Sequence, residues 1–359
     1  MNYIGSKKSL LWFLEESIYQ VVGTKNFTFL DLFAGTGAVG QHFKNKGHRV
    51  IANDLQYYSF VLNKNYLENY EILKFLSLEN DLPSLKNIAY QNRANFVCQF
   101  LDNLTLAKGF IFENYCRGGK KNQEHQRQYF SDENGKKIDT IRQQIQEWQE
   151  NSKITSGEYY FLLATLIENA DKVANTASVY GAFLKQLKKS AQQNLLMKPA
   201  NFMLSGNNHI VYNENIETLI DQVEGDVLYL DPPYNQRQYA SNYHLLETIA
   251  KYDNPTIAGK TGLRDYLKQK SKFSQKTAVL ESFANIIQKA KAKYIFLSYN
   301  NEGLMTLNEI ENIMSQRGKY GVFTAEYNRF KADKTENRNH KNNFVIEYLH
   351  YVEIQPDKF

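Results

Sequence analysis

The chain has 359 residues, of which 42% are hydrophobic and 14% aromatic, and a formal net charge of +5. This is enough apolar material for a large globular core, and the length suits two domains or one domain with a big insertion. No apolar run reaches transmembrane length, the opening residues mix Lys7, Lys8, Glu15 and Glu16 into apolar positions, and Cys98 and Cys116 match neither a metal spacing nor a disulfide framework; a cytoplasmic protein with reduced thiols and no metal site is expected.

In chain order, "NFTFLDLFAGTGAVGQHFKNKGHRVIANDL" reads as strand, glycine turn, helix and strand, a βαβ unit, with a helical stretch over about 59–69 after it. Between about 85 and 205 the alternation stops. There "NYCRGGKKNQEHQRQYFSDENGKK" is polar and turn-rich, while "IDTIRQQIQEWQE" and "GEYYFLLATLIENADKVA" carry helical periodicity. Alternation resumes with "NHIVYNENIETLIDQV", "GDVLYLDPPY" and the helix-like "SNYHLLETIAKY", followed by "AKYIFLSYN" and "TLNEIENIMSQRG". The final "YGVFTAEYNRF" and "NNFVIEYLHYVEI" suit a long antiparallel hairpin. Seven candidate strands result, near 27–33, 49–53, 209–213, 226–231, 293–299, 321–329 and 343–353. They predict an α/β fold with a doubly wound, mostly parallel seven-stranded sheet and a mainly helical insertion. The domain boundaries expected are 1–90 and 206–359 for the sheet domain and 91–205 for the insertion.

Gly35 and Gly37 fall at the carboxyl end of the first strand, where open α/β sheets bind ligands and a bare backbone permits close approach. Asp54 closes the second strand seventeen residues after Gly37, where an acid can accept hydrogen bonds from ribose hydroxyls. A nucleoside-containing cofactor fits, and the G-T-G-A-V-G run over 35–40 keeps a dinucleotide site open as an alternative.

Asp231 ends a strand that a doubly wound sheet sets beside the first, so it opens on the same crevice as the glycine turn. Pro232 and Pro233 stiffen the exit and cannot donate backbone hydrogen bonds. The Asp231 carboxylate and Pro232 carbonyl make an acceptor pair, and Tyr234 offers a flat face for stacking. Such a set suits an exocyclic amine: two acceptors bind its hydrogens and aim its lone pair at an electrophile. The amine of a paired base is buried in the duplex, so the base would be flipped out.

In that order these motifs resemble the S-adenosylmethionine-dependent adenine-N6 DNA methyltransferases of restriction-modification type, in the class where the cofactor motif precedes the target-recognition region and the DPPY motif follows it. "YIGSKKSLL" is similar to that family's opening motif, "DLFAGTG" to its glycine loop, Asp54 to its ribose acid and Asp231-Pro232-Pro233-Tyr234 to its catalytic tetrapeptide. The resemblance implies that Tyr3, Gly5 and Lys7 contact S-adenosylmethionine, that Asp31, Phe33, Gly35, Thr36 and Gly37 surround its methionine part, and that Asp54 and Leu55 meet the ribose. It also implies that Asn215, where the family usually has an acid, and Ile216 meet the cofactor's adenine.

By the same resemblance the insertion reads double-stranded DNA. Arg117, Lys120, Lys121 and Arg127, with Lys136 and Lys137, would touch phosphates, and Arg237 and Tyr239 would support the flipped nucleotide or fill its gap. The basic segments "KTGLRDYLKQKSKFSQK" and "RFKADKTENRNHK" are expected to line the DNA path. The partner set implied is duplex DNA and a separately acting restriction endonuclease, with no membrane, for a monomer or weak dimer. RNA adenine-N6 methylation, a nicotinamide-dependent oxidoreductase using the glycine loop, and a non-catalytic DNA-binding subunit are the alternatives; for the acid at 231, cytosine-N4 transfer is disfavoured because that branch usually carries Ser.

Overall fold

In a computed structural model, which describes residues 3–328 and 344–355, nine strands form among the described residues. They are β1 (Thr28–Asp31), β2 (Arg49–Asn53), β3 (Ile210–Tyr212), β4 (Glu224–Leu230), β5 (Ile257–Ala258), β6 (Leu263–Arg264), β7 (Lys291–Asn300), β8 (Gly318–Asn328) and β9 (Phe344–Ile354). Seven of them make one sheet in the order β3-β2-β1-β4-β7-β9-β8. The pairs β1–β2, β1–β4, β2–β3 and β4–β7 are parallel, and β9 runs antiparallel between β7 and β8. The expected fold class and C-terminal hairpin are therefore observed. The additional pair, β5 and β6, has two residues per strand, too few for an alternation to be visible.

The chain divides into two compact units. The sheet unit comprises Asn2–Asn63, Asn207–Tyr239 and Leu267–Phe359. Successive side chains on its strands point to opposite faces. On one face Phe29 of β1 stacks on Phe43 at 4.1 Å between ring centroids and on Tyr229 of β4 at 5.9 Å. On the other, Leu30, Leu228 and Ile295 pack with Phe283, Ile286 and Ile287 of the helix Val279–Lys289. Each such side chain, fully buried, contributes about 1.5–3 kcal/mol. Two-sided burial is why β1 and β4 read as nearly continuous apolar runs. Since the strand order turns at β1 and β4, the carboxyl ends of these two strands form the crevice at which ligands of open α/β sheets bind.

The helical unit comprises Lys64–Gly206 and Ala240–Tyr266. Its helices include Tyr90–Asp102, Phe110–Tyr115, Asp132–Glu150, Ser156–Val173 and His244–Lys251. Ser131 caps the third by accepting the Asn134 N–H, and Thr155 with Glu158 forms a reciprocal capping box on the fourth. The fully buried Asp139 carboxylate accepts the backbone N–H groups of Gly109, Ile111 and Phe112 at 3.0, 2.8 and 2.8 Å, satisfying the start of the Phe110–Tyr115 helix. This unit is wider than 91–205. Ala240–Tyr266 joins it because the buried Arg142 guanidinium donates to the carbonyls of Ile249 and Ala250, each at 3.1 Å, a long-range tie that no local pattern carries. Cys98 and Cys116 are free and buried; burial, with Asp102 nearby, pushes the Cys98 thiol up to about 12. No helix among the described residues is long and apolar enough to cross a membrane.

Candidate functional site

The glycine turn is built around one carboxylate. Asp54, just past β2, accepts the Gly35 N–H on one oxygen and the Gln56 N–H on the other, both at 2.8 Å. The Asn53 amide ties Leu32 and Glu214 carbonyls at 3.2 Å each, and the Asn63 amide reaches the Gly35 carbonyl at 3.0 Å. Gly35 has φ +52°, and a Cβ there would sit 3.1 Å from the Tyr3 ring. A side chain at 35 would be strained and would push Tyr3 off the turn. Gly5, φ +78°, is similar, since a Cβ would lie 2.8 Å from the Tyr239 hydroxyl.

At the end of β4 the Asp231 carboxyl is 15% exposed and the Lys7 ammonium approaches its Oδ1 at 3.2 Å. Lys7 is itself buried. It also donates to the Tyr234 hydroxyl at 3.0 Å and to Glu347 Oε1 on β9 at 2.6 Å, and lies 5.1 Å from the Tyr234 ring centroid. The Tyr234 ring meets Tyr299 edge-on at 5.6 Å. Lys7 is thus placed among the tetrapeptide's own side chains, besides lining the pocket. Burial works against its charge, but Asp231, Tyr234 and Glu347 outweigh that and hold it well above the usual lysine range. Burial raises the Asp231 carboxyl to about 7; Lys7 opposes the rise and Glu347 adds to it.

Asp31, at the end of β1, accepts the Gly40 N–H on Oδ2 at 3.2 Å, while its buried Oδ1 has no hydrogen-bond partner. Burial first, and the Asp231 charge second, raise this carboxyl to about 8. One pocket collects most of these groups, with Tyr234 and Glu347 outside its lining. Tyr3, Gly5, Lys7, Asp31, Phe33 and Gly35 line it, as do Thr36, Asp54, Leu55, Asn215 and Ile216, and Asp231, Pro233 and Tyr239. Gly37 lies outside the lining and starts the next helix at φ +76°; Pro232 is buried. The Asn215 side-chain oxygen caps the short helix Ile216–Leu219 by accepting the Glu217 N–H at 3.0 Å, which leaves one lone pair for a ligand.

Several contributors were invisible to motif reading. Phe273 lines the pocket and meets Phe33 edge-on at 5.1 Å, so the two rings form an apolar part of its wall. Tyr229 lines it two residues before Asp231. Glu347 is fully buried; the only hint in the sequence is an acid inside the apolar run "FVIEYLHYV".

The residues expected at DNA divide. Arg117, Lys120 and Lys121 are exposed on the helical unit. Arg127 is not: it is 4% exposed, and its guanidinium donates to the carbonyls of Gly259, Lys260 and Asn114 at 2.8, 3.1 and 3.2 Å. Every face of that side chain serves the interior, so the expectation of a phosphate contact is corrected to a structural one. Lys136 pairs with Glu133 at 3.1 Å and Lys137 with Asp102 at 2.9 Å. Arg237 is exposed, whereas the Tyr239 hydroxyl donates to the Ile4 carbonyl at 3.2 Å and its ring leans on Tyr3 at 5.6 Å. In the first basic segment Lys272 pairs with Glu217 at 2.7 Å and Phe273 is buried. The second, "RFKADKTENRNHK", lies outside the described residues. Among the described residues no cluster of His, Cys, Asp and Glu could hold a metal ion.

A family model described as D12 class N6 adenine-specific DNA methyltransferase matches residues 3–313. Over 356 residues the chain is 51% identical to the Type II methyltransferase M.NlaIII of Neisseria lactamica, covering 98% of this chain and 99% of that protein. It is 32% identical to the Type II methyltransferase M.CviAII of Paramecium bursaria Chlorella virus 1, with 99% of each covered. The Type II methyltransferase M.FokI of Planomicrobium okeanokoites is 38% identical across 98% of this chain, which spans 52% of that longer protein.

Proposed function

Because this chain belongs to the D12 class of N6 adenine-specific DNA methyltransferases, we propose that its sheet-edge pocket binds S-adenosylmethionine and delivers the methyl group to an adenine flipped out of one specific duplex sequence. The observation that carries this reading is the shared edge of β1 and β4: an acid-bearing glycine turn and an Asp231 carboxyl paired with Lys7 line a single pocket. The residues present suit the donor. The Asp54 carboxylate lines the pocket where ribose hydroxyls could donate to it, the Phe33 and Phe273 rings offer apolar wall to a flat ring, and the unpartnered Asp31 oxygen suits a cationic group.

The bound donor supplies a methyl group on a sulfonium, an electrophile that needs a correctly aimed lone pair. The chain's part is to provide that aim. An Asp231 carboxylate oxygen and the Pro232 carbonyl would accept the two amine hydrogens and favour a more tetrahedral nitrogen, with the Lys7 ammonium 3.2 Å from Asp231 Oδ1. Transfer there would form a nitrogen–methyl bond at the expense of the donor's carbon–sulfur bond, whose electrons would go to sulfur. One amine proton then leaves through Asp231, whose carboxyl, raised to about 7, can take and release it near neutrality.

Exposed Arg117, Lys120 and Lys121 support a DNA-reading role for the helical unit. The names of the relatives, Type II methyltransferases and modification methylases, support a restriction-modification setting in which a separate endonuclease recognises the same sequence. Single-molecule sequencing of DNA from cells expressing the chain tests the reading: N6-methyladenine should recur in one sequence context, and its complete absence would overturn the proposal.

A further inference from the structure

A buried acid on β9 has no part in the reading above. Glu347 is fully buried, its Oε1 accepts from the Lys7 ammonium at 2.6 Å and from the Ser298 hydroxyl, and its Oε2 has no partner. Burying a carboxylate costs several kcal/mol unless a charge repays it, and replacing this one by an apolar residue would pack the sheet without that cost. Its place is set by topology. Glu347 pairs with Asn300, the last residue of β7, so antiparallel β9 brings it to the same sheet edge at which parallel β4 ends.

Lys7 has three N–H bonds and three acceptors: Glu347 Oε1, Asp231 Oδ1 and the Tyr234 hydroxyl. The contact with Glu347 is the shortest of them, and it comes from a regular strand, whereas Asp231 and Tyr234 sit on a loop. An ammonium on a four-carbon stem is mobile unless anchored. We propose that Glu347 is a positioning residue for methyl transfer: from β9 it anchors Lys7, which fixes Asp231 through Oδ1 and Tyr234 through its hydroxyl and so keeps the Asp231 carboxylate aimed at the target amine. The inference rests on the reading of Asp231 as the amine's acceptor.

A second consequence is electrostatic. The charged and titratable groups facing Asp231 are Lys7 from the first turn, Glu347 from β9, Tyr234 from its own loop, Tyr229 from β4 and Asp31 from β1. With one cation among three acids, the Glu347 charge holds Asp231 more readily protonated than Lys7 alone would. Removing that charge lets Lys7 act on Asp231 undivided.

The test is Glu347→Gln in the full chain, with steady-state methylation of a duplex carrying the recognised sequence measured across pH. Glutamine keeps the shape, but its neutral amide oxygen holds the Lys7 ammonium more weakly than a carboxylate does. The expected result is a fall of about tenfold in kcat with KM for DNA and donor little changed, and an acid limb of kcat displaced about one pH unit lower. A residue that only stabilises the fold would lower the melting temperature and leave kcat and the acid limb where they are; that result overturns the inference. If the Gln variant does not fold, Glu347→Asp decides: the charge stays but the shorter arm loses Lys7, so kcat falls while the acid limb does not drop, and wild-type kcat overturns the inference. A wild-type chain that leaves adenine unmethylated overturns the proposed function and this inference together, whereas an active wild type with an indifferent Gln variant overturns the inference alone.

Discussion

The two carboxyls at the crevice differ in how they are held. Asp31 has one oxygen with a partner and one without, and burial raises it to about 8, so in the donor-free protein near neutrality it is mostly protonated. A cationic ligand binds the ionised form, so binding must displace that proton. Affinity for S-adenosylmethionine, measured by calorimetry, should therefore strengthen as pH rises to about 8 and level off above it. Asp31→Asn should weaken binding by about tenfold and flatten this dependence; an unchanged profile would remove Asp31 from the donor site. Asp231 is different because Lys7 pairs with it through Oδ1 and its proposed role is a bond that matters in the transition state. Asp231→Ala should lower kcat by roughly a hundredfold or more while leaving DNA and donor binding within a few-fold. Equal losses in kcat and binding would argue for a structural role.

At the scale of elements, the βαβ start, the β4 strand and the β8–β9 hairpin could be read locally because apolar runs, glycine turns and alternation act over neighbouring residues. The candidate strand at 27–33 contains β1 (Thr28–Asp31), and that at 49–53 coincides with β2. For basic residues the local pattern does not report burial. Lys120 and Arg127 belong to the same polar turn, yet one is exposed and the other is enclosed by carbonyls of a segment more than a hundred residues later. Arg127→Ala should leave those carbonyls unsatisfied and cost about 3 kcal/mol in urea-induced unfolding, with the salt dependence of DNA binding in the folded variant unchanged. A reduced salt slope at unchanged stability would restore the phosphate role.

For the whole molecule, a net charge of +5 is too small to establish a polyanionic partner by itself; the useful fact is which cations stay exposed. Replacing Arg117, Lys120 and Lys121 together by Ala should weaken DNA binding uniformly across sequences. It should also reduce the slope of log affinity against log salt by about 0.9 for each phosphate that is no longer neutralised. An unchanged slope would mark them as merely solvated.

The amino-acid sequence by itself determined the order of motifs, the doubly wound class, the glycine turn with Asp54 and the acid-proline exit at Asp231, because each is a matter of residue type at short spacing acting on the local backbone. Only the tertiary structure decided that Asn215 caps a helix, that Ala240–Tyr266 joins the helical unit, that Arg127 is interior and that Glu347 shares Lys7 with Asp231. Those outcomes depend on strand register and burial. Lys7 and Glu347 stand 340 positions apart, and nothing in the spacing of either reports the sheet edge where β9 brings them together.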